Sequence, residues 1–192
     1  MPNAFKYEYW KFTGHDYRGI KSWIKLQSSH TLKYLYYGRR EQNSKGLLRK
    51  YYKTRKRLIG IKIGIEIPSF EKINKGLLLC HAFDITVNEN AQLGSDVTLF
   101  KGATIGSIRT GKRAGAPVIG DRVVIGANAF VGGRITIGND VMIAPCSYVN
   151  FDVPDNSVVI GNPGVIHKKE HAADDYYTAF AAKGDRTVYR GE

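Results

Sequence analysis

One periodicity limits what this chain can fold into. Read in steps of six from Ile119, the sequence gives Ile119, Ile125, Val131, Ile137, Ile143 and Val149, all β-branched aliphatics. Four places after each comes a second, mostly small or aliphatic series: Val123, Ala129, Ile135, Val141, Ser147 and Val153. Glycine follows the aliphatic at Gly120, Gly126, Gly132 and Gly138. An amphipathic helix cannot generate period six, because at about 3.6 residues per turn such positions drift round the cylinder. A short strand followed by a corner can. Three such units close one triangular coil, and stacked coils pile the aliphatics into a column, each contributing roughly 1.5–3 kcal/mol on burial. Independent strands of a sandwich offer no reason for an unbroken six-step register. The chain's 21 glycines crowd between Gly60 and Gly164, as repeated tight corners require.

The same phase runs backward through Ile105, Leu99, Leu93 and Val87, so five to six coils are expected from near Ile65 to Val153. It breaks twice. Between Ile105 and Ile119 the stretch "GSIRTGKRAGAPV" is polar, basic and glycine-rich, and reads as a protruding loop. Between Leu79 and Val87 the step is eight instead of six, so two extra residues bulge from the coil at "CHAFD". Bulges in β-structure often re-aim side chains at functional sites, and His81 sits in this one.

Taken with the repeat, "GIEIPSFEKINKGLLLCHAFDITVNENAQLG" and the closing "VPDNSVVIGNPGVIHK" resemble the left-handed β-helix acyltransferases of the hexapeptide family. The likeness is to the serine acetyltransferase branch and its saccharide O-acetyltransferase relatives, over roughly residues 64–169. It implies a mainly β fold: a left-handed parallel β-helix of hexapeptide repeats, assembled as a homotrimer. A basic helical segment (1–62) precedes the helix domain (63–167), and a tail (168–192) follows it.

In that branch the bulge histidine is the general base, and an acid fifteen residues earlier orients it. Here those positions are His81 and Glu66. A substrate hydroxyl is a poor nucleophile at neutral pH, so a base must take its proton as it attacks the thioester carbonyl of the acetyl-CoA co-substrate. A carboxylate on the other ring nitrogen fixes the tautomer and stabilises the imidazolium. The family's pantetheine arm runs in a groove between subunits along small-residue corners, which match Gly106, Ser107, Ala127 and Pro145. Lys168 and Lys169, just past the closing segment, are the candidates for the nucleotide phosphates, with a solvated tail as the plainer reading.

The acceptor side departs from the serine enzymes. The acid they carry before the histidine is Cys80 here, and their loop Arg-His pair falls on Gly115 and Ala116. An amino-acid zwitterion needs charged partners, whereas a sugar hydroxyl needs few. This weighs toward a saccharide or glycolipid acceptor, as in surface-polysaccharide biosynthesis. Cys80, Asp84, Arg109 and Lys112 are the candidate acceptor contacts; Asp84 is equally readable as a cap on the bulge turn. L-Serine is then expected to be a poor acceptor, and serine O-acetylation is the alternative.

Charge divides the chain. Residues 1–62 hold sixteen Lys and Arg against three acids, Glu8, Asp16 and Glu41, while the remainder holds thirteen against fourteen. Leu47, Leu48, Tyr51, Tyr52, Leu58 and Ile59 recur at helical spacing, with Asn43 or Ser44 as start and Gly60 as end. A weaker pattern runs through Ile20, Trp23, Ile24, Leu32 and Leu35. Two readings stay open: these helices cap the β-helix, or they lie on an anionic membrane surface. A non-catalytic β-helical trimer docking on membrane or nucleic acid is the rival from another class. No RRM, KH or zinc-finger signature supports nucleic acid, and no GxGxxG supports a dinucleotide. A metal site is not expected: Cys80 and Cys146 have no CxxC spacing, and only His81 of the five histidines falls within the coils. The first residues lack the apolar core of a signal peptide, so the expected location is the cytoplasm, at large or at the inner face of its membrane.

Overall fold

The computed structural model describes residues 1–174. From Ile65 to Ile160 the chain winds through five coils, touching three parallel sheets in turn. Strands β1 (Ile65–Glu66), β3 (Ile85–Val87), β6 (Thr104–Gly106), β9 (Phe130–Gly132) and β12 (Tyr148–Val149) make the first sheet. β4 (Gln92–Leu93), β7 (Val118–Ile119) and β10 (Thr136–Ile137) make the second, extended by single bridges at Ile73 and Val153. β2 (Leu78–Cys80), β5 (Thr98–Phe100), β8 (Val124–Ile125), β11 (Val141–Ile143) and β13 (Ser157–Ile160) make the third. This is a left-handed parallel β-helix. Its register is the six-residue one: Val131 pairs with Ile105 and Val149, Ile137 with Ile119, and Ile143 with Ile125. The aliphatic column is buried throughout.

Coil length varies at the two ends. Ile65 pairs with Ile85 and Leu79 with Leu99, steps of twenty that contain the two extra bulge residues. At the other end Ile137 pairs with Val153, a step of sixteen. Val153 therefore takes the column position instead of belonging to the second series. The corner shortens there because the Asp152 carboxylate accepts from the Thr136 N–H (2.7 Å), closing the turn with a side chain in place of backbone. Strand β14 (Val165–Lys168) folds back antiparallel on β13 and ends the helix.

Four helices precede the coils: α1 (Asn3–Thr13), α2 (Gly19–Ser28), α3 (His30–Gln42) and α4 (Gly46–Ile63). They cap the open end of the β-helix. Phe5, Tyr9, Leu32, Tyr34, Leu35 and Ile59 form one continuous core with Ile65, Ile67 and Phe70 of the first coil. At its centre lies a fully buried ion pair. Arg39 on α3 binds Glu8 on α1 (2.6 Å) and donates to the carbonyls of Ile73 and Asn74, while Glu8 accepts from the Leu77 N–H (3.2 Å).

The helix boundaries differ from the sequence reading. The α4 N-cap is Lys45, with no side-chain cap, and Gly64 at φ 63° ends it. Gly60 lies inside α4, where a Cβ would stand 2.5 Å from the Ile65 carbonyl; its role is close packing against β1. Of the expected apolar stripe only Tyr52 and Ile59 are buried, while Leu47, Leu48, Tyr51 and Leu58 face solvent. The Ile20–Leu35 pattern is two helices, split where the Ser29 hydroxyl accepts from the Leu32 N–H (3.2 Å). Among the described residues no helix is long and apolar enough to cross a membrane.

Candidate active site

The site begins where β2 runs out. Residues 81–84 leave the coil as a bulge, with His81 at φ 49° and Asp84 at φ 54°. Such angles are uncommon outside glycine and are held only where the surroundings fix them. They are fixed here from below: the Asp84 N–H donates to the Ile63 carbonyl (3.4 Å) and the Ile85 N–H to that of Gly64 (3.1 Å). A Cβ on Gly64 would lie 3.0 Å from the Asp84 nitrogen, so this contact needs glycine. His81 and Phe83 are thrown out to solvent while Cys80 stays buried. Burial pushes the Cys80 thiol up to about 12, against the opposing pull of Lys11. Cys80 therefore stands beside His81 as a neutral group.

His81 and Glu66 open onto different cavities. His81, Cys80 and Ala82 line one of about 460 Å³, whose other wall is Lys11, Thr13 and Thr31. Glu66 and Asp84 line another, of about 580 Å³, together with Thr86, Lys53 and Arg57. Glu66 pairs with Thr86 on β3, immediately past the bulge. Among the described residues no hydrogen bond joins Glu66 to His81. Lys11, Thr13 and Thr31 escape any reading of the repeat, because α1 and α3 bring them in from outside it. The Lys11 ammonium donates to the Gly76 carbonyl and to the Asp96 carboxylate, both at 2.8 Å. Its burial lowers its pKa, with Asp96 opposing.

Below His81 the same corner repeats in each coil. The Asn128 N–H donates to the Lys101 carbonyl, and the Cys146 N–H to that of Ala127. Ala127 and Pro145 thus stack in successive coils on the His81 corner, half-buried and exposed respectively. Gly126 serves the stack itself: a Cβ there would lie 2.6 Å from the Pro145 nitrogen. Gly106 and Ser107 sit at the opposite end of the first sheet, where the Asn88 amide donates to the Ser107 hydroxyl (3.1 Å). Lys168 pairs with Ser157 at the start of β13, and the Lys169 N–H bonds the Asn156 carbonyl. Both lysines lie at the corner between the second and third sheets, one corner away from His81.

The protruding loop closes on itself through paired hydrogen bonds between Ile108 and Gly115 (3.0 and 2.8 Å). Arg109 and Lys112 at its tip are exposed. Gly115 has φ 134°, and a Cβ there would meet Arg134 at 3.1 Å. Any side chain at 115 would be strained in this loop conformation. Among the described residues no group of three or more His, Cys, Asp or Glu is placed to hold a metal ion.

Residues 116–150 match the family described as bacterial transferase hexapeptide (six repeats). The serine acetyltransferase of Helicobacter pylori is 41% identical over 101 residues, covering 52% of this chain and 58% of that protein. That of Staphylococcus aureus is 41% identical over 109 residues, covering 56% and 50%. Among solved structures, Neisseria gonorrhoeae serine acetyltransferase in complex with serine matches at 26% identity and TM-score 0.64, over 85% of this chain and 67% of that one. The chain spans between half and three-fifths of the length of these curated relatives. The names overturn the expectation of a saccharide or glycolipid acceptor and of a place in polysaccharide biosynthesis. Relatives this similar are serine acetyltransferases, and the amino-acid acceptor is the reading they support.

Proposed function

We propose that this chain, a hexapeptide-repeat β-helix resembling the serine acetyltransferases, transfers an acetyl group from acetyl-CoA to the hydroxyl of serine. The observation that carries the reading is His81 itself, exposed in a bulge held at positive φ, at the head of a corner that continues through Lys101 to the small residues Ala127 and Pro145. Bound acetyl-CoA would supply a thioester carbonyl as the acyl source. Ala127 and Pro145, with little side chain of their own, are suited to letting an extended arm approach the backbone; Pro145 offers only its carbonyl, having no N–H. Gly106, Ser107, Lys168 and Lys169 are assigned to donor binding on the resemblance. The groove lies between two copies of a homotrimer, the assembly the resemblance implies.

The chain's own residues perform the proton work. His81 takes the proton of the serine hydroxyl as that oxygen becomes the nucleophile, and gives it to the departing sulfur. Glu66, which lines a separate cavity and among the described residues makes no hydrogen bond to His81, is assigned the positioning of the imidazole on the resemblance. Serine also brings a carboxylate and an ammonium. Arg109 and Lys112 are assigned to the first and Asp84 to the second; Lys11, held by Asp96 and the Gly76 carbonyl, and the neutral Cys80 form the wall beside His81.

Release of free thiol from acetyl-CoA, measured with and without L-serine, tests transfer: release that does not depend on serine is contrary to it. Glu66→Gln is expected to lower kcat about tenfold, less than loss of the base itself, with the donor KM unchanged. A variant as fast as wild type would remove Glu66 from the mechanism.

A further inference from the structure

Helix α4 carries a face that the fold does not use. Its buried side is Tyr52, Lys56, Ile59 and Gly60. At about 100° per residue, Leu47, Tyr51, Thr54, Leu58 and Ile61 fall on a stripe nearly opposite. Leu47 is 83% exposed, Tyr51 53%, Leu58 52% and Ile61 70%. Cations flank the stripe on both sides: Lys50, Lys53 and Arg57 along one edge, Arg55 and Lys62 along the other, all exposed. Residues 46–63 contain no Asp or Glu. α2 repeats the pattern, with Ile20, Trp23 and Ile24 more than half exposed at i, i+3 and i+4. Arg18, Lys21 and Lys25 are exposed beside them, and this helix too has no acid.

We propose that the outer face of α4 docks on an anionic lipid surface, its apolar stripe entering the headgroup–acyl boundary and its flanking cations meeting the headgroups. The charge pattern selects this occupant. A second copy packed on the same face would set cation rows against cation rows, with no carboxylate on the helix to pair them. A nucleic acid would satisfy the cations but leave Leu47, Leu58 and Ile61 against phosphates. A bilayer interface accepts both halves at once, and an indole such as Trp23 is suited to that depth. The attraction is electrostatic in part, so it weakens with salt. This docking does not depend on the acetyl-transfer reading, although Lys53, Arg57 and Ile61 also line the cavity of Glu66 and Asp84.

The test is co-sedimentation of the full chain with vesicles of phosphatidylcholine alone, or mixed with phosphatidylglycerol, at low and high salt. Binding is expected on the mixed vesicles, weak or absent on phosphatidylcholine, and reduced by salt. Leu58→Glu with Ile61→Glu is expected to lower partitioning at least about tenfold, with circular dichroism and solution mass unchanged. Leu47→Ser with Tyr51→Ser is the second, milder pair and is expected to act in the same direction. Failure of wild type to bind the mixed vesicles, or undiminished binding by both pairs, overturns the proposal. So does a fall in solution mass on substitution, which would make the stripe a contact between copies.

Discussion

Replacing His81 by alanine is expected to lower turnover at least about a hundredfold, the usual range for a lost general base, while leaving donor binding close to wild type. The expectation rests on position. His81 is the exposed titratable end of a segment that otherwise packs as sheet, and the bulge that turns it outward is pinned by backbone bonds to Ile63 and Gly64. The donor groove is assigned to corners in later coils, which a substitution at 81 leaves untouched. Folding is not in question either, because the side chain lies outside the aliphatic column. Single-turnover kinetics with saturating donor separates the two effects. An alanine variant that acetylates at the wild-type rate is incompatible with the mechanism.

Glu8→Ala is expected to cost about 3–5 kcal/mol of stability, the penalty for leaving one half of a buried ion pair unpartnered. Arg39 is fully buried, and besides Glu8 it has the Ile73 and Asn74 carbonyls and the Gln42 side chain. Without the carboxylate its charge has no compensation. Leu77 simultaneously loses the acceptor for its N–H. Burial alone pushes the Glu8 carboxyl upward, against Arg39, so an apolar pair of equal volume at both positions would be better tolerated than the single change. Urea titration reads the effect as a lower midpoint. Since this node joins α1 and α3 to the first coil, a midpoint equal to wild type would show that the cap does not depend on it.

Much of the β-helix was legible because its period is written in the side chains that fill it. Every member of the Ile119-to-Val149 series is a buried column residue, and the eight-residue step from Leu79 to Val87 marks the bulge. Val153 was misassigned because a corner closed by Asp152 is two residues shorter, and hydrophobic periodicity does not register who makes the turn's hydrogen bond. The helical segment was harder. Leu47, Tyr51 and Leu58 have helical spacing, yet the core takes Tyr52, Lys56, Ile59 and Gly60. Lys56 is buried against Glu41 (2.7 Å), a partner on another helix that local pattern cannot supply. For the same reason Lys11, Thr13 and Thr31 were absent from the candidate site. Cys80, Gly115 and Ala116 point away from a serine acceptor when set against the serine pattern position by position, whereas the relatives point toward one. Gly115 stands at φ 134°, where any side chain is strained, so its identity reports the loop's conformation as much as the acceptor.

The most direct measurement is identification of the product formed from acetyl-CoA and L-serine by the purified chain, using NMR to locate the new acetyl group. The account predicts O-acetylserine with a free amine, formed with thiol release and abolished to within about one part in a hundred by His81→Ala. Acetyl on the amine, or no product from serine under conditions where a different hydroxyl compound is acetylated at an enzymatic rate, would contradict it.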